Sequence, residues 1–336
     1  MPAITESPKK ILIVSPSWVG DAVMAQPLLK RLRERHRHLV LDVLAPSWCA
    51  PLFSRMEEID HIVVNPLQHG ELKLGRRYRL GAQLREGRYD QAIVLPNSLK
   101  SALIPFFASI PLRTGYVGEM RKGLLNDARK LLKSRYPLMV ERFALLAEDR
   151  NEPLRRPLMH PSLSFDPEKG KAIMERLSLQ PGKSIAVFCP GAEYGPAKRW
   201  PAGHFSSLAN MLSERYQIWL IGSEKDREIG EEIASNSNAI NLCGLTNLDE
   251  AVDLIGLSSL VISNDSGLMH VAAALDKPML AIYGSSSPGF TPPFSEKAKI
   301  VSLNLSCSPC FERNCPLGHF DCMKKLTPEI VLESLP

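Results

Sequence analysis

Short apolar runs alternate along the whole chain with stretches in which apolar residues recur every three or four positions. An apolar run of four to six residues bounded by turn residues reads as a buried strand, and the 3.6-residue period reads as an amphipathic helix. Strands are predicted over 10–15, 39–44, 61–64 and 91–95, then over 185–189, 217–221, 239–243, 260–263 and 279–283. Helices are predicted over 21–35, 138–148, 203–215, 249–257 and 267–275. Such alternation builds parallel sheets flanked by helices, an α/β fold.

The two halves open alike. Lys9-Lys10-Ile11-Leu12-Ile13-Val14 leads into a loop ending at Gly20, and Lys183-Ser184-Ile185-Ala186-Val187-Phe188 leads into a loop holding Gly191 and Gly195. Between them, Pro153, Pro157, Pro161 and Pro167 punctuate a stretch without periodicity, which reads as a linker. Two doubly wound, Rossmann-like domains are expected, 1–160 and 161–336, facing a central cleft with ligands at the carboxyl ends of the strands.

Composition adds little until it is split. The chain of 336 residues has 44% apolar and 23% charged residues and a net charge of +5, ordinary for a globular protein. Residues 1–160 carry 26 Lys and Arg against 16 Asp and Glu, a net of +10; residues 161–336 carry 15 against 20, a net of −5. The basic first half points to an anionic partner. Its cations are scattered, without RNA-binding motifs or interleaved aromatics, so nucleic acid is not expected. No signal peptide or membrane span is visible, and a cytoplasmic location is expected. The seven cysteines then argue against a disulfide framework.

The candidate chemistry lies at strand ends. Neither the G-x-G-x-x-G fingerprint nor the P-loop spacing G-x-x-x-x-G-K-[ST] occurs, which removes the best support for nicotinamide or NTPase chemistry. Asn264-Asp265-Ser266-Gly267-Leu268-Met269-His270 runs from a predicted strand straight into a helix. Such a corner aims backbone N–H groups and the positive end of a helix at one spot and suits a nucleotide diphosphate. The same residues also read as a simple helix cap with His270 in the core, and the motif alone leaves both open. Lys198, in the loop 190–201, suits the charge of a departing phosphate, or is a solvated cation beside a helix start. Glu224, after another strand, suits ribose hydroxyls or a helix cap. Asp21, at the first helix start, is a general base or a dipole partner.

Together these pieces resemble the family 9 glycosyltransferases, the bacterial ADP-heptose:lipopolysaccharide heptosyltransferases. The residues that carry the resemblance are Pro16-Ser17-Trp18-Val19-Gly20-Asp21, Leu95-Pro96-Asn97-Ser98, Arg113-Thr114-Gly115, the block 191–201 with Lys198-Arg199-Trp200-Pro201, and the block 264–275. It runs from about Lys10 to the C-terminal helix, and the 191–201 block with the Trp18 loop favours the type II branch over type I, with types I and III of the same family as the alternatives. The resemblance implies a GT-B fold, with the acceptor bound mainly by the first domain and the donor mainly by the second. It implies an inverting transfer of heptose from ADP-heptose to an inner core of Kdo-lipid A already carrying one heptose, with no metal or cofactor in the reaction. Asp21 is then the base, and Lys198 contacts the donor phosphates and ribose. Glu224 takes the ribose, Asp265 holds the heptose, and Ser266, Gly267 and His270 surround the diphosphate. A sugar-nucleotide epimerase would use the same donor grip without an acceptor.

Two features lie outside that pattern. The run 101–112, flanked by Lys100 and Arg113 and followed by Arg121 and Lys122, reads as a buried core helix. Its sharper reading rests Phe106 and Phe107 at the inner-membrane surface, with Lys100, Arg121 and Lys122 meeting acceptor phosphates. Cys307, Cys310, Cys315 and Cys322, with His319 nearby, have the ligand types for a small zinc knot. Their irregular spacing also fits reduced thiols in a Pro-rich loop, structural in either case.

Overall fold

A computed structural model describes residues 9–67, 70–180 and 182–335. They fall into two compact units divided between Met159 and His160.

The first unit holds one parallel sheet of β1 (Lys9–Val14), β2 (Leu39–Pro46), β3 (His61–Asn65), β4 (Gln91–Val94), β5 (Leu112–Tyr116) and β6 (Asp127–Arg129). Their order across the sheet is β3-β2-β1-β4-β5-β6. The second unit holds β7 (Ser184–Cys189), β8 (Tyr216–Leu220), β9 (Ile240–Asn241), β10 (Leu260–Asn264), β11 (Met279–Ile282) and β12 (Ala298–Val301). They are ordered β12-β11-β10-β7-β8-β9, also parallel. Counted from each unit's own first strand, both sheets follow the order 3-2-1-4-5-6 of a dinucleotide-binding fold.

The apolar pattern explains the central strands. Ile11, Leu12 and Ile13, like Val187 and Phe188, are wholly buried because helices cover both faces of a parallel sheet. Each such side chain stabilises the fold by about 1.5–3 kcal/mol relative to exposure. The order reverses between β1 and β4, and between β7 and β10, so the chain splays apart there and leaves a crevice at the strand ends.

Three strands were not legible. β5 is Leu112-Arg113-Thr114-Gly115-Tyr116, where an Arg and a Gly break the apolar run. β6 is three residues long, and β12 is an edge strand with exposed Ile300. The helix predicted over 21–35 divides into Val19–Met24 and Gln26–Arg35. Pro27 has no N–H to give to Val23, and Leu28 N–H turns to Ala25 O at 3.1 Å. The run 101–112 is likewise split: helix Leu99–Phe107 buries 101–105, and its last residues lead into β5.

Candidate active site

In the second unit the loops after β7 and β10 meet at the reversal of strand order. Asn264 joins them from inside: wholly buried, it accepts from Trp200 N–H at 3.1 Å and donates Nδ2 to Pro190 O at 2.7 Å. Trp200 is wholly buried and donates Nε1–H to Leu326 O at 2.7 Å, so the loop carrying Lys198 is anchored in the core. Lys198 closes a short 3₁₀ turn, Pro196–Lys198, and its Nζ donates to Asp265 Oδ2 at 2.6 Å. Asp265 is 5% exposed. A lysine and an aspartate 67 residues apart thus form one nearly buried ion pair.

Helix Gly267–Ala274 begins immediately after that pair. Ser266 stands at its N-cap position but makes no capping hydrogen bond, and its Oγ lies 3.3 Å from Ser263 Oγ. No side chain caps the first-turn N–H groups, so this helix start can receive an anion beside the Lys198–Asp265 pair. His270, one turn on, is 4% exposed. Burial pushes its imidazole down to about 4; the Asp265 charge opposes this and Lys198 adds to it. At neutral pH the ring is uncharged, so it offers a hydrogen bond and no positive charge.

Glu224 sits in a different setting. It opens the turn Glu224–Asp226 after β8, is largely exposed, and accepts both arms of Arg227 at 2.8 and 2.7 Å. That guanidinium holds its carboxyl below the usual range. Gly244, at φ +76°, leaves room for it, since a Cβ there would meet the Glu224 carboxylate at 2.1 Å. Glu224 is in reach of solvent for a ribose, but shared with Arg227.

One wall of this site was not foreseen. Tyr194 donates its hydroxyl to Phe311 O at 2.6 Å, and its ring carries Lys198 Nζ at 5.0 Å and the Arg313 guanidinium at 5.2 Å. Phe311 N–H donates to Ser285 O at 2.7 Å, and Ala197 N–H to Arg313 O at 3.0 Å. The cysteine-rich loop therefore packs directly on the Lys198 loop. The only sequence signal was its run of cysteines, which says nothing about Tyr194 or Arg313.

In the first unit the loops after β1 and β4 occupy the equivalent reversal. Asp21 lies in the first turn of Val19–Met24, half-buried, near enough to Cys49 that its charge adds to burial in pushing that thiol up to about 12. The preceding loop is tied down from the end of β2: Trp48 Nε1–H donates to Ser17 O at 2.9 Å and Cys49 Sγ to the same oxygen at 3.4 Å.

Arg121 departs from its expected place. It is 2% exposed and spends its guanidinium on Tyr116 O, Pro96 O and Asn97 Oδ1. Burial pushes it down to about 10, which still leaves it cationic at neutral pH. A guanidinium in that position pins the loop after β4 and has no face left for an acceptor phosphate. Lys122 is exposed and Lys100 half-buried, so these two keep surface positions. Phe106 is 42% exposed, with the Arg113 guanidinium 5.7 Å from its ring.

The sequence profile of glycosyltransferase family 9 (heptosyltransferase) matches residues 77–321. The chain belongs to that family. It is 49% identical to lipopolysaccharide heptosyltransferase 2 of Salmonella typhimurium and 48% identical to that of Escherichia coli, each over 97% of both chains. The solved Escherichia coli ADP-heptose lipopolysaccharide heptosyltransferase II superposes with a TM-score of 0.88 at 46% identity, again over 97% of both chains. This family 9 chain is thus a heptosyl-transferring glycosyltransferase of the type II branch, with the two Rossmann-like units of a GT-B fold.

Among the described residues no three His, Cys, Asp or Glu side chains stand in a metal-ligating array. No described helix is long and apolar enough to cross a membrane. A cavity of about 350 Å³ lies at the amino-terminal ends of the strands of the first sheet, beside Lys9, Gln91 and Asp127, which open β1, β4 and β6. It is lined by its own ion pairs, such as Arg129 to Asp127 at 2.7 Å.

Proposed function

We propose that this chain moves L-glycero-D-manno-heptose from ADP-heptose to the heptosyl-Kdo-lipid A inner core, with inversion at the anomeric carbon. The observation that carries the donor half is the Lys198–Asp265 pair at the start of helix Gly267–Ala274. A diphosphate on the helix N-terminus lies beside Lys198, and the anomeric bond it shares with heptose then lies beside Asp265.

In the reaction the acceptor hydroxyl attacks the anomeric carbon, its proton passes to Asp21, and the bond to ADP breaks with its electron pair on the phosphate. Lys198 and the helix N–H groups stabilise that charge, which grows in the transition state. Ser266 and Gly267 supply N–H groups at the diphosphate, His270 gives a neutral hydrogen bond, and Glu224 takes the ribose hydroxyls in place of Arg227. Asp265, already held by Lys198 on one oxygen, uses its other oxygen on the heptose.

The acceptor is anionic and lipid-bound, and the +10 charge of residues 1–160 suits it. Lys100 and Lys122 meet its phosphates, with Phe106 at the cytoplasmic face of the inner membrane; Arg121 serves by fixing the Pro96-Asn97 loop beside them. Incubation of pure protein with ADP-heptose and heptosyl-Kdo-lipid A should add one heptose to the lipid, read by mass. An unchanged lipid mass would refute the proposal, as would equal transfer to Kdo-lipid A lacking the first heptose.

A further inference from the structure

The chain has four tryptophans, and they fall into two pairs. Trp200 and Trp219, in the second unit, are wholly buried. Trp18 and Trp48, in the first, are 48% and 41% exposed. An indole left this open forgoes much of the stabilisation that its burial would give, and aromatic surface of this kind is what lines ligand sites.

Both exposed tryptophans are tied to Ser17. Trp18 follows it in the chain, and Trp48 donates Nε1–H to its carbonyl at 2.9 Å. Trp48 stands in a tight turn after β2, closed by Cys49 N–H on Pro46 O at 3.0 Å and anchored by the wholly buried Cys49. With its N–H committed and its backbone held, the Trp48 ring is fixed beforehand, and little freedom is lost when its surface is covered. Trp18 opens helix Val19–Met24, and its carbonyl accepts Ala22 N–H at 2.9 Å, so the first turn is closed. Asp21 is three residues on in that turn, and positions three apart on a helix are surface neighbours. An exposed aromatic pair and a carboxylate are thereby held together at the carboxyl ends of β1 and β2.

That juxtaposition suits a sugar. A pyranose shows hydroxyls around its rim and C–H groups on its faces, and the negative face of an indole attracts those C–H groups. A proton acceptor works within about 2.6–3.2 Å of the hydroxyl it takes from, so a sugar that reacts at Asp21 lies over the residues beside it. We propose that Trp18 and Trp48 form an aromatic platform for the acceptor sugar and orient the hydroxyl that attacks. This platform deepens the transfer proposed above and rests on Asp21 being its base. The first unit then recognises a ring face in addition to the acceptor's charge.

The buried pair is shielded from a quencher, so acrylamide reports the exposed pair in the wild-type chain. With ADP present and no heptose donor, heptosyl-Kdo oligosaccharide freed of its acyl chains should protect the fluorescence, and ADP alone should not. Trp48→Ala should raise the KM for that acceptor roughly tenfold, the worth of a modest apolar face, with kcat and ADP affinity little changed. Trp48→Phe keeps a ring while giving up the bond to Ser17, and should recover most of the loss. An equal fall in kcat in both variants would make Trp48 a mere tie for the Asp21 loop and overturn the platform. Equal protection by phospholipid vesicles holding no acceptor would assign the indoles to the membrane surface and overturn it too. Elongation of the lipid acceptor with neither quenching nor KM moved would strike the platform alone; no elongation would strike it together with the transfer reaction. The quenching arm uses the wild type, so it stands even where a variant fails to fold.

Discussion

The crevices at β1/β4 and at β7/β10 share one topology and differ in what fills them. In the second unit, buried Asn264 and Trp200 lock two loops together, and the locked loops present a lysine, an aspartate and an uncapped helix start. In the first unit, buried Arg121 pins the loop after β4, Trp48 and Cys49 tie down the loop after β1, and that loop presents the half-buried carboxylate of Asp21. On the proposed mechanism one crevice holds negative charge and the other places a single proton acceptor. Under that proposal the same fold serves opposite electrostatic tasks, because strand order fixes where the loops go and only the loop residues decide what they carry.

The largest expected effect breaks the first crevice's task without touching its shape. Asp21→Asn keeps size and removes the proton acceptor, so kcat should fall by roughly 10²–10⁴-fold. Steady-state assays with saturating ADP-heptose check this, and turnover near that of wild type would reduce Asp21 to a helix-start acid.

Arg121 sharpens the contrast between locking and presenting. Arg121→Met abandons the carbonyls of Tyr116 and Pro96, and chemical denaturation should show a loss of about 1–3 kcal/mol or more. A solvated acceptor cation would lose almost nothing. Lys100→Ala with Lys122→Ala should leave stability alone and raise the KM for the lipid acceptor a few-fold, with ADP-heptose unaffected; an unchanged acceptor KM removes both from the acceptor site.

The smallest effect concerns His270, held neutral by burial down to about 4 from an ordinary 6.5. Between those values the unfolded chain takes up a proton that the native chain refuses, so stability is complete above pH 6.5 and falls as pH drops through the window. The loss is at most about 1.4 kcal/mol per pH unit. Denaturation at pH 7 and pH 5 should therefore show a smaller acid loss in His270→Gln than in wild type, and equal losses would contradict it.

Much of this was legible because buried parallel strands are near-continuous apolar runs, and nine of the twelve strands among the described residues contain such a run. The others hide for physical reasons: Arg113 and Gly115 interrupt β5, and the edge strand β12 needs no apolar run on its solvent side. Site residues were legible by type and not by pairing. Nothing local says that Lys198 will close on Asp265, or that Asn264 will face Pro190. Arg121 misleads for a related reason. Beside Lys122 in a polar stretch it reads as surface charge, whereas only the fold supplies the carbonyls that let a guanidinium be buried. Tyr194 and Arg313 meet across more than a hundred residues, beyond any periodicity.

The division of labour between the two crevices is tested most directly by calorimetric ADP affinity in two variants measured side by side. Lys198→Ala should weaken ADP binding by roughly tenfold or more, since one charged contact to phosphate is worth about 1.5–3 kcal/mol. Its affinity should also respond less steeply to salt. Asp21→Asn should bind ADP as tightly as wild type while transferring almost no heptose. Loss of ADP affinity in Asp21→Asn, or its retention in Lys198→Ala, would contradict the account.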